Sequence, residues 1–545
     1  VLSPSLRERS EQWGRGLGGG GLMPHATYTL ELELQYNIWT DVTADWHTMT
    51  PLVIERGIAP GERTARIGRM TLALYNADGR YIPGHPNATA GFEVGIGVRL
   101  RASLGAETWT LFYGHVREIR PRRTARRTAP QQVEIVCEDD IAALERVRVG
   151  ILPLIYHAAP GDLVERLVSR SFTPPGRKAY WRLDHPQAGA LGEGTVLSDA
   201  ATGVEIAAGQ SVFAWAGDTW EADLPCAVAL REVCISEGGH FFIAADGTPT
   251  FTDRHARPKR ITPHAILNAG VASVSVERGA GRLANHIEVT TYPREVGTAE
   301  SVLWEAGHTI RLAPGEARTL ICRYSDPDEP TAQVGAWSLV TPVPYTDFTA
   351  TIDPEGLGND LTDAIRVRVE SGGTSARMTL EHLRRTNRAV YVHHLRLRGV
   401  PLYRHHAATV QVEDVASRLA YGLHPLRIDM PLQDEVRIGE DMARALLVNR
   451  AAPRGWLTVT VEATADATLL RHALARDVGD RLHVTDAPLA LGEAACFVDG
   501  VRHEVRRGGA SHRVVWRTSP ADLEAYWVLG AEGYTALGSV TKLGY

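Results

Sequence analysis

Residues Gly68–Gly84 read GRMTLALYNADGRYIPG, and this stretch decides the fold class. Met70, Leu72 and Leu74 alternate with Thr71, Ala73 and Tyr75, the period of a strand with one apolar face. Asn76-Ala77-Asp78-Gly79 then supplies turn chemistry. Asn and Asp tolerate left-handed backbone, and Gly takes positive φ without steric cost. Pro83-Gly84 adds a second turn signal. The expectation is strand, tight turn, strand.

The same pattern continues on both sides. TYTLELELQ, from Thr27, alternates Tyr28, Leu30, Leu32 and Leu34 against polar partners. IWTDVT, PLVIERGI, FEVGIGVRLR, TWTLFYGHVREI and QVEIVC complete a set of short strands spaced by roughly 8–15 residues, as in a barrel or sandwich. Helical spacing is confined to short segments: 138–147, 162–168, 226–237 and 435–448. Asp246-Gly247 and Asp499-Gly500 are each expected to turn a hairpin. Residues 283–415 again read mostly as strands, in the manner of a β-sandwich.

A chain of 545 residues exceeds one core and implies roughly three to four domains. Formal net charge is −6, which argues against a general polyanion binder. Lys178, Lys259 and Lys542 are the only lysines; every other basic side chain is Arg. The five cysteines (137, 226, 234, 322 and 496) are odd in number and dispersed, neither a disulfide framework nor a CxxC zinc pattern. Cytosolic assembly is expected. No apolar run approaches the roughly 18–20 residues of a membrane helix. Residues 1–23 are polar, then glycine-rich, and read as a flexible arm; Met23 is a candidate natural start.

Catalytic signatures fail one by one. There is no GxSxG elbow and no GK[ST] phosphate loop. His503-Glu504 opens like HExxH, but Arg507 stands where the second ligand belongs. His393, His394, His405 and His406 are the densest histidine cluster, read as surface or interface groups before a metal site. Glu138, Asp139 and Asp140 are read as helix-start acids. Arg122, Arg123, Arg126 and Arg127 lie in a break between strands. They are either a solvated hairpin tip or a contact with an acidic partner or nucleic acid. Trp215 and Trp220 flank Gly217-Asp218 and are candidates for plugging a subunit contact or stacking a sugar. No catalytic, cofactor-binding or metal-binding residue is assigned, and no cofactor is expected.

Several phrases carry a family likeness. Trp39-Thr40-Asp41-Val42-Thr43, Ile54-Glu55-Arg56-Gly57-Ile58 and the Gly68–Pro83 run, with Asn76, Asp78, Gly79 and Tyr81, resemble the opening of phage tail-tip and baseplate-hub proteins. Phe112-Tyr113-Gly114-His115-Val116, Cys137–Leu144, Glu237–Phe242, Asp246–His255, Tyr421-Gly422 and Phe497–Gly500 resemble later phrases of that family in the same order. The resemblance covers about residues 27–545.

The resemblance implies a mainly β, multidomain chain with a few short helices, tube-type β-barrels and an inserted β-sandwich. Its expected division is a flexible arm (1–23), a first tube-type barrel (24–136) and an α+β hub domain (137–270). A second barrel-like domain (271–294 plus 411–490), the inserted sandwich (295–410) and a C-terminal β segment (491–545) follow. Trp39, Asp41, Arg56, Gly57, Asn76, Asp78, Gly79 and Tyr81 become architectural residues. The implied role is a virion tail-tip ring, trimeric for preference, that is assembled in the host cytoplasm. It caps the tail tube, meets distal-tail and tip or fibre proteins, and lets DNA through without binding it specifically. A tail-associated cell-wall hydrolase and a receptor-binding carbohydrate module are the alternatives.

Overall fold

A computed structural model describes residues 25–122, 132–172, 196–199, 204–268, 273–384, 386–404, 406–523, 525–526 and 541–542. The N-terminal arm, Arg123, Arg126, Arg127 and His405 lie outside the described residues. The protein is mainly β with a few short helices.

Seven strands arise from the first part of the chain: β1 (Thr27–Gln35), β2 (Ile38–Asp41), β3 (Leu52–Ile58), β4 (Ala65–Tyr75), β5 (Gly97–Leu104), β6 (Glu107–Arg122) and β7 (Gln132–Glu138). They hydrogen-bond in the order β3-β4-β7-β6-β5-β1-β2, every pair antiparallel. Alternation decides which side chains go inward. Tyr28, Leu30 and Leu32 of β1, Leu52 and Ile54 of β3, Met70, Leu72 and Leu74 of β4, and Val133 and Ile135 of β7 are all buried in one core.

The strand expected after Asn76–Gly79 does not form. Beyond Tyr75 the chain runs through successive turns and re-enters the sheet only at Gly97. The cause is a local capture by the core. Asn76 is fully buried, and its Oδ1 accepts the Tyr81 N–H at 2.8 Å. Tyr81 is buried too, its ring edge-on to Phe92 with centroids 5.1 Å apart. Gly79 takes φ 84°, as the turn chemistry requires. The turn residues therefore pin an irregular excursion instead of reversing the chain into a hairpin.

The sheet does not stop at β3. Its free side pairs with Leu491–Arg506, followed by Ser511–Pro520, Trp456–Glu462 and Ser273–Glu277. Arg481–Asp486 pairs with the early part of Leu491–Arg506 and carries Ala265–Asn268 in parallel on its other side. Thirteen described strands thus share one hydrogen-bonded sheet.

Asp499-Gly500 is not a hairpin turn. Leu491–Arg506 is a single 16-residue strand, and Asp499-Gly500 is a bulge within it. The reversal comes at Arg507-Gly508-Gly509, with φ of 50°, 65° and 100°. Gly500 serves a close approach: a Cβ on the opposing Gly57 (φ 143°) would lie 2.3 Å from the Asp499 carbonyl oxygen and 2.5 Å from the Gly500 Cα. Two strands therefore touch backbone to backbone where the two parts of the sheet join.

Around this sheet pack the helices Ile141–Arg146, Pro160–Ser171 and Cys226–Glu237. The last ends at Gly238 in left-handed backbone, φ 78°. His240–Ile243 and Pro249–Thr252 form the antiparallel hairpin that Asp246-Gly247 turns, with the Asp246 carboxylate accepting the Thr248 N–H at 2.9 Å. Residues 303–397 hold a core of their own, around Leu303, Phe348, Met378 and Leu397. A third, small core lies between the His286–Thr291 strand and the helix Val436–Arg450.

Candidate functional site

The architectural residues named from sequence fall into three groups. Arg56 and Gly57 sit at the junction between β3 and the Leu491–Arg506 strand. Arg56 is buried, and its Nη2 donates to Asp477 Oδ1 at 2.9 Å while Nη1 donates to the Ile243 carbonyl at 3.2 Å. Asp477 Oδ2 in turn accepts the Ala245 N–H at 2.7 Å. One guanidinium thereby ties the sheet to the Asp246-Gly247 hairpin and to the loop before Arg481.

Asp139 is buried in the same region. Its Oδ1 accepts the Ile141 N–H at 3.2 Å, the helix-start role expected of it. Burial pushes its carboxyl up to about 8, against the opposing pull of the Gly68 backbone and Arg56. Asp140 holds His115 at 3.2 Å, and that contact raises the imidazole above its ordinary value.

Trp39 and Asp41 lie on β2, at one edge of the sheet. Arg99 covers the Trp39 ring at 4.3 Å and shares Glu31 with Arg101 at 2.7 and 2.8 Å. Asp41 Oδ1 accepts the Thr43 N–H at 2.8 Å, shaping the turn that follows β2. Asn76, Asp78, Gly79 and Tyr81 form the third group. The Tyr81 hydroxyl donates to Asp45 Oδ2 at 2.6 Å, and Arg80 joins Asp78 at 2.7 Å and Asp45 at 3.4 Å. Burial and then Asp45 raise the Tyr81 phenol above its usual range.

Arg122, at the end of β6, is exposed and pairs with Glu134 at 3.0 Å. Its neighbours in the sequence motif lie outside the described residues. Trp215 and Trp220 are both buried within the chain. Trp220 Nε1–H donates to Glu232 Oε2 at 2.8 Å. Trp215 packs against Tyr156 and Trp337, ring centroids 4.7 and 5.0 Å away. The two indoles therefore fill contacts inside the protomer, and the aromatic surface beside Trp215 is made by Tyr156 and Trp337, 52% and 39% exposed. Sequence reading missed both. The only signal was one aromatic in each of two short strands, at 156 and 337 in the chain.

His393 is buried and lies 3.1 Å from Thr351 Oγ1, while His394 takes left-handed backbone at φ 53°. Among the described residues no group of three His, Cys, Asp or Glu side chains could hold a metal ion. All five cysteines are buried and free, and burial raises each thiol above its ordinary value. No described helix is long and apolar enough to cross a membrane.

The large sheet ends at three strands. One is β2, where Ile38 stands 55% exposed and Tyr36, in the turn just before it, 85%; the others are Ser273–Glu277 and Ala265–Asn268. An edge strand carries unpaired N–H and C=O groups, so each can accept a strand from another chain.

No family model matches the sequence, and no curated protein matches it. Several solved structures are similar over most of its length. The tail protein from Neisseria meningitidis MC58 aligns over 91% of this chain and 96% of its own, at 9% identity and a TM-score of 0.45. The 43 kDa tail protein of prophage MuSo2 from Shewanella oneidensis aligns over 91% and 99%, at 10% identity and 0.44. The prophage tail protein gp18 from Listeria monocytogenes EGD-e aligns over 90% and 94%, at 8% identity and 0.37. These are tail proteins to which this chain is similar.

Proposed function

We propose that the chain is a structural, non-enzymatic component of a phage or phage-derived tail, acting at the hub or tip. Copies associate into a ring, a trimer for preference, that caps the tail tube and passes DNA at ejection. Distal-tail and tip or fibre proteins are its neighbours, and the virion tail tip is its location. The ordered phrases from Trp39 to Gly500 motivate this reading.

The observation that carries it is the open thirteen-stranded sheet, which ends at β2, Ser273–Glu277 and Ala265–Asn268. Two sets of strands, β1–β7 and those drawn from 265–277 and 456–520, meet at Gly57 and Gly500. Read as the two tube-type units expected of a hub chain, they suit a threefold ring stacked on a sixfold tube. Closed rotational symmetry pairs exposed edges of neighbouring copies. A net charge of −6 suits a conduit that does not retain DNA.

Mass photometry of the full chain tests the association. The wild type should form a closed oligomer. Tyr36→Lys with Ile38→Lys should leave a folded monomer, since charge on an edge strand and the turn leading into it blocks pairing. A wild type that stays monomeric at micromolar concentration in the presence of tail-tube protein would overturn the reading.

A further inference from the structure

The helix Val436–Arg450, the segment after Pro249–Thr252 and the rim of the large sheet enclose a cavity of about 180 Å³. Six arginines line it: Arg63, Arg254, Arg257, Arg282, Arg450 and Arg454. The lining carboxylates are Asp253 and Asp522.

Most of these guanidiniums have bonds within the chain. Arg63 reaches the Gly238 carbonyl at 2.5 Å, and Arg254 reaches Glu237 at 3.0 Å. Arg257 meets Asp499 at 2.8 Å, and Arg454 meets Asn449 at 3.3 Å. Arg282 meets Glu277 at 3.1 Å and covers the Trp456 ring at 4.0 Å. A guanidinium carries five N–H donors, so Arg257, Arg282 and Arg454 keep donors beyond these bonds.

Arg450 differs from the rest. Its side chain makes no hydrogen bond or ion pair among the described residues. Burial and the neighbouring charge of Arg282 weaken its hold on its proton, with the Asp522 charge opposing them. Arginine nevertheless stays charged in proteins. Arg450 is half-buried, with the Asp522 charge nearby, so its guanidinium donors remain open to water and to an anion entering the cavity. His240 also lines the cavity, and its Nδ1 is buried without a partner.

We propose that this cavity binds a phosphate-type oxyanion, as the free ion or as a phosphomonoester, with Arg450 as its principal ligand. The arginines come from several separate chain segments, around the end of one helix and the rim of the sheet. A tetrahedral oxyanion presents acceptors in all directions and can answer donors from several segments; a carboxylate offers two oxygens in one plane. The volume is also below the roughly 300–1,000 Å³ of sites for drug-sized ligands, and holds a small anion with bridging water.

Isothermal titration calorimetry on the full chain, at constant ionic strength in chloride, tests this with inorganic phosphate and with glycerol 3-phosphate. The wild type should give saturable one-site binding with at least one probe. Arg450→Met should weaken it at least about tenfold. In chloride without phosphate, Arg450→Met should melt no lower than the wild type, because it breaks no side-chain hydrogen bond within the chain. Arg450→Gln is the second variant should the methionine variant fail to fold. Tighter binding of glycerol 3-phosphate identifies an esterified ligand, and tighter binding of phosphate the free ion. No saturable binding, equal affinity in the Arg450 variants, or a lower melting temperature of Arg450→Met in chloride would each overturn the proposal.

Discussion

His512 places its Nε2 3.0 Å from Nδ1 of His503, and its own Nδ1 lies 2.8 Å from the Tyr28 hydroxyl. All three side chains are sealed from solvent. The chain of contacts links β1 to the Leu491–Pro520 hairpin, closing a separation of 484 residues. Burial holds His512 down to about 4. Burial, His512 and Arg56 hold His503 well below its ordinary value.

That pair makes stability depend on pH with a definite sign. Each imidazole has a folded pKa below its unfolded value of about 6.5, so the unfolded chain binds the proton more tightly. The contribution is complete above about pH 6.5 and is lost as pH falls toward the folded value of about 4 for His512. For His512 alone it is on the order of 3 kcal/mol. The Asp139 carboxyl, pushed up to about 8, works in the opposite sense and loses its contribution as pH rises. The measurement is therefore a difference. Urea midpoints of wild type and His512→Gln, taken at pH 7.5 and 4.5, should show the wild type losing more on acidification. Identical losses would refute the assignment.

Gly57 and Gly61 give a matched pair of tests. Both have positive φ, 143° and 85°. A Cβ on Gly57 would strike the Asp499–Gly500 backbone, whereas nothing lies within 4 Å of one on Gly61. Gly61→Ala should cost about 1 kcal/mol from backbone conformation alone. Gly57→Ala should cost at least about 3 kcal/mol and disturb the joint between the two parts of the sheet. Equal urea midpoints for the two variants would contradict the close approach.

Asn76→Ala leaves the buried Tyr81 N–H without its acceptor and should cost about 1–3 kcal/mol. Tyr81→Phe keeps the ring against Phe92 and leaves Asp45 to Arg80, so its cost should be nearer 1 kcal/mol. Thermal melts rank the two. The reverse order would mean that the Asp45 hydroxyl contact, and not the loop closure, holds this segment.

Arg56→Met should be among the most destabilising single changes, about 3–5 kcal/mol, because Asp477 keeps only backbone donors and the guanidinium bond to Ile243 disappears. Arg513→Met removes an exposed pair with Glu462 and should fall within about 1 kcal/mol of wild type. Denaturant curves at low and high salt separate them further, since screening weakens the exposed pair more.

Much of this was legible in the sequence, for reasons that particular residues make plain. The alternation of Met70, Leu72 and Leu74 is a property of the strand itself, so the buried face followed from it. Cys226–Glu237 carried its helical period and its Gly238 stop within a dozen residues. The Asp246-Gly247 hairpin has its strands close by on either side. The misreadings share one cause. Asn76-Ala77-Asp78-Gly79 and Asp499-Gly500 carry the same local turn chemistry as Asp246-Gly247, yet one is captured by Tyr81 and the core, and the other is required by Gly57 across the sheet. Local sequence names the residues that permit unusual backbone, while distant partners decide its use. Trp215 was singled out without Trp337 because the two lie over a hundred residues apart, and Arg450 gave no signal because its neighbours come from separate segments.

Cryo-EM of tails purified from cells producing this protein tests the central claim most directly. The account predicts density for the chain as a closed ring at the end of the tail tube, with β2 of one copy beside Ser273–Glu277 or another sheet edge of its neighbour. Tails complete at their tips without this chain, alongside the protein recovered only as a free monomer, would contradict it.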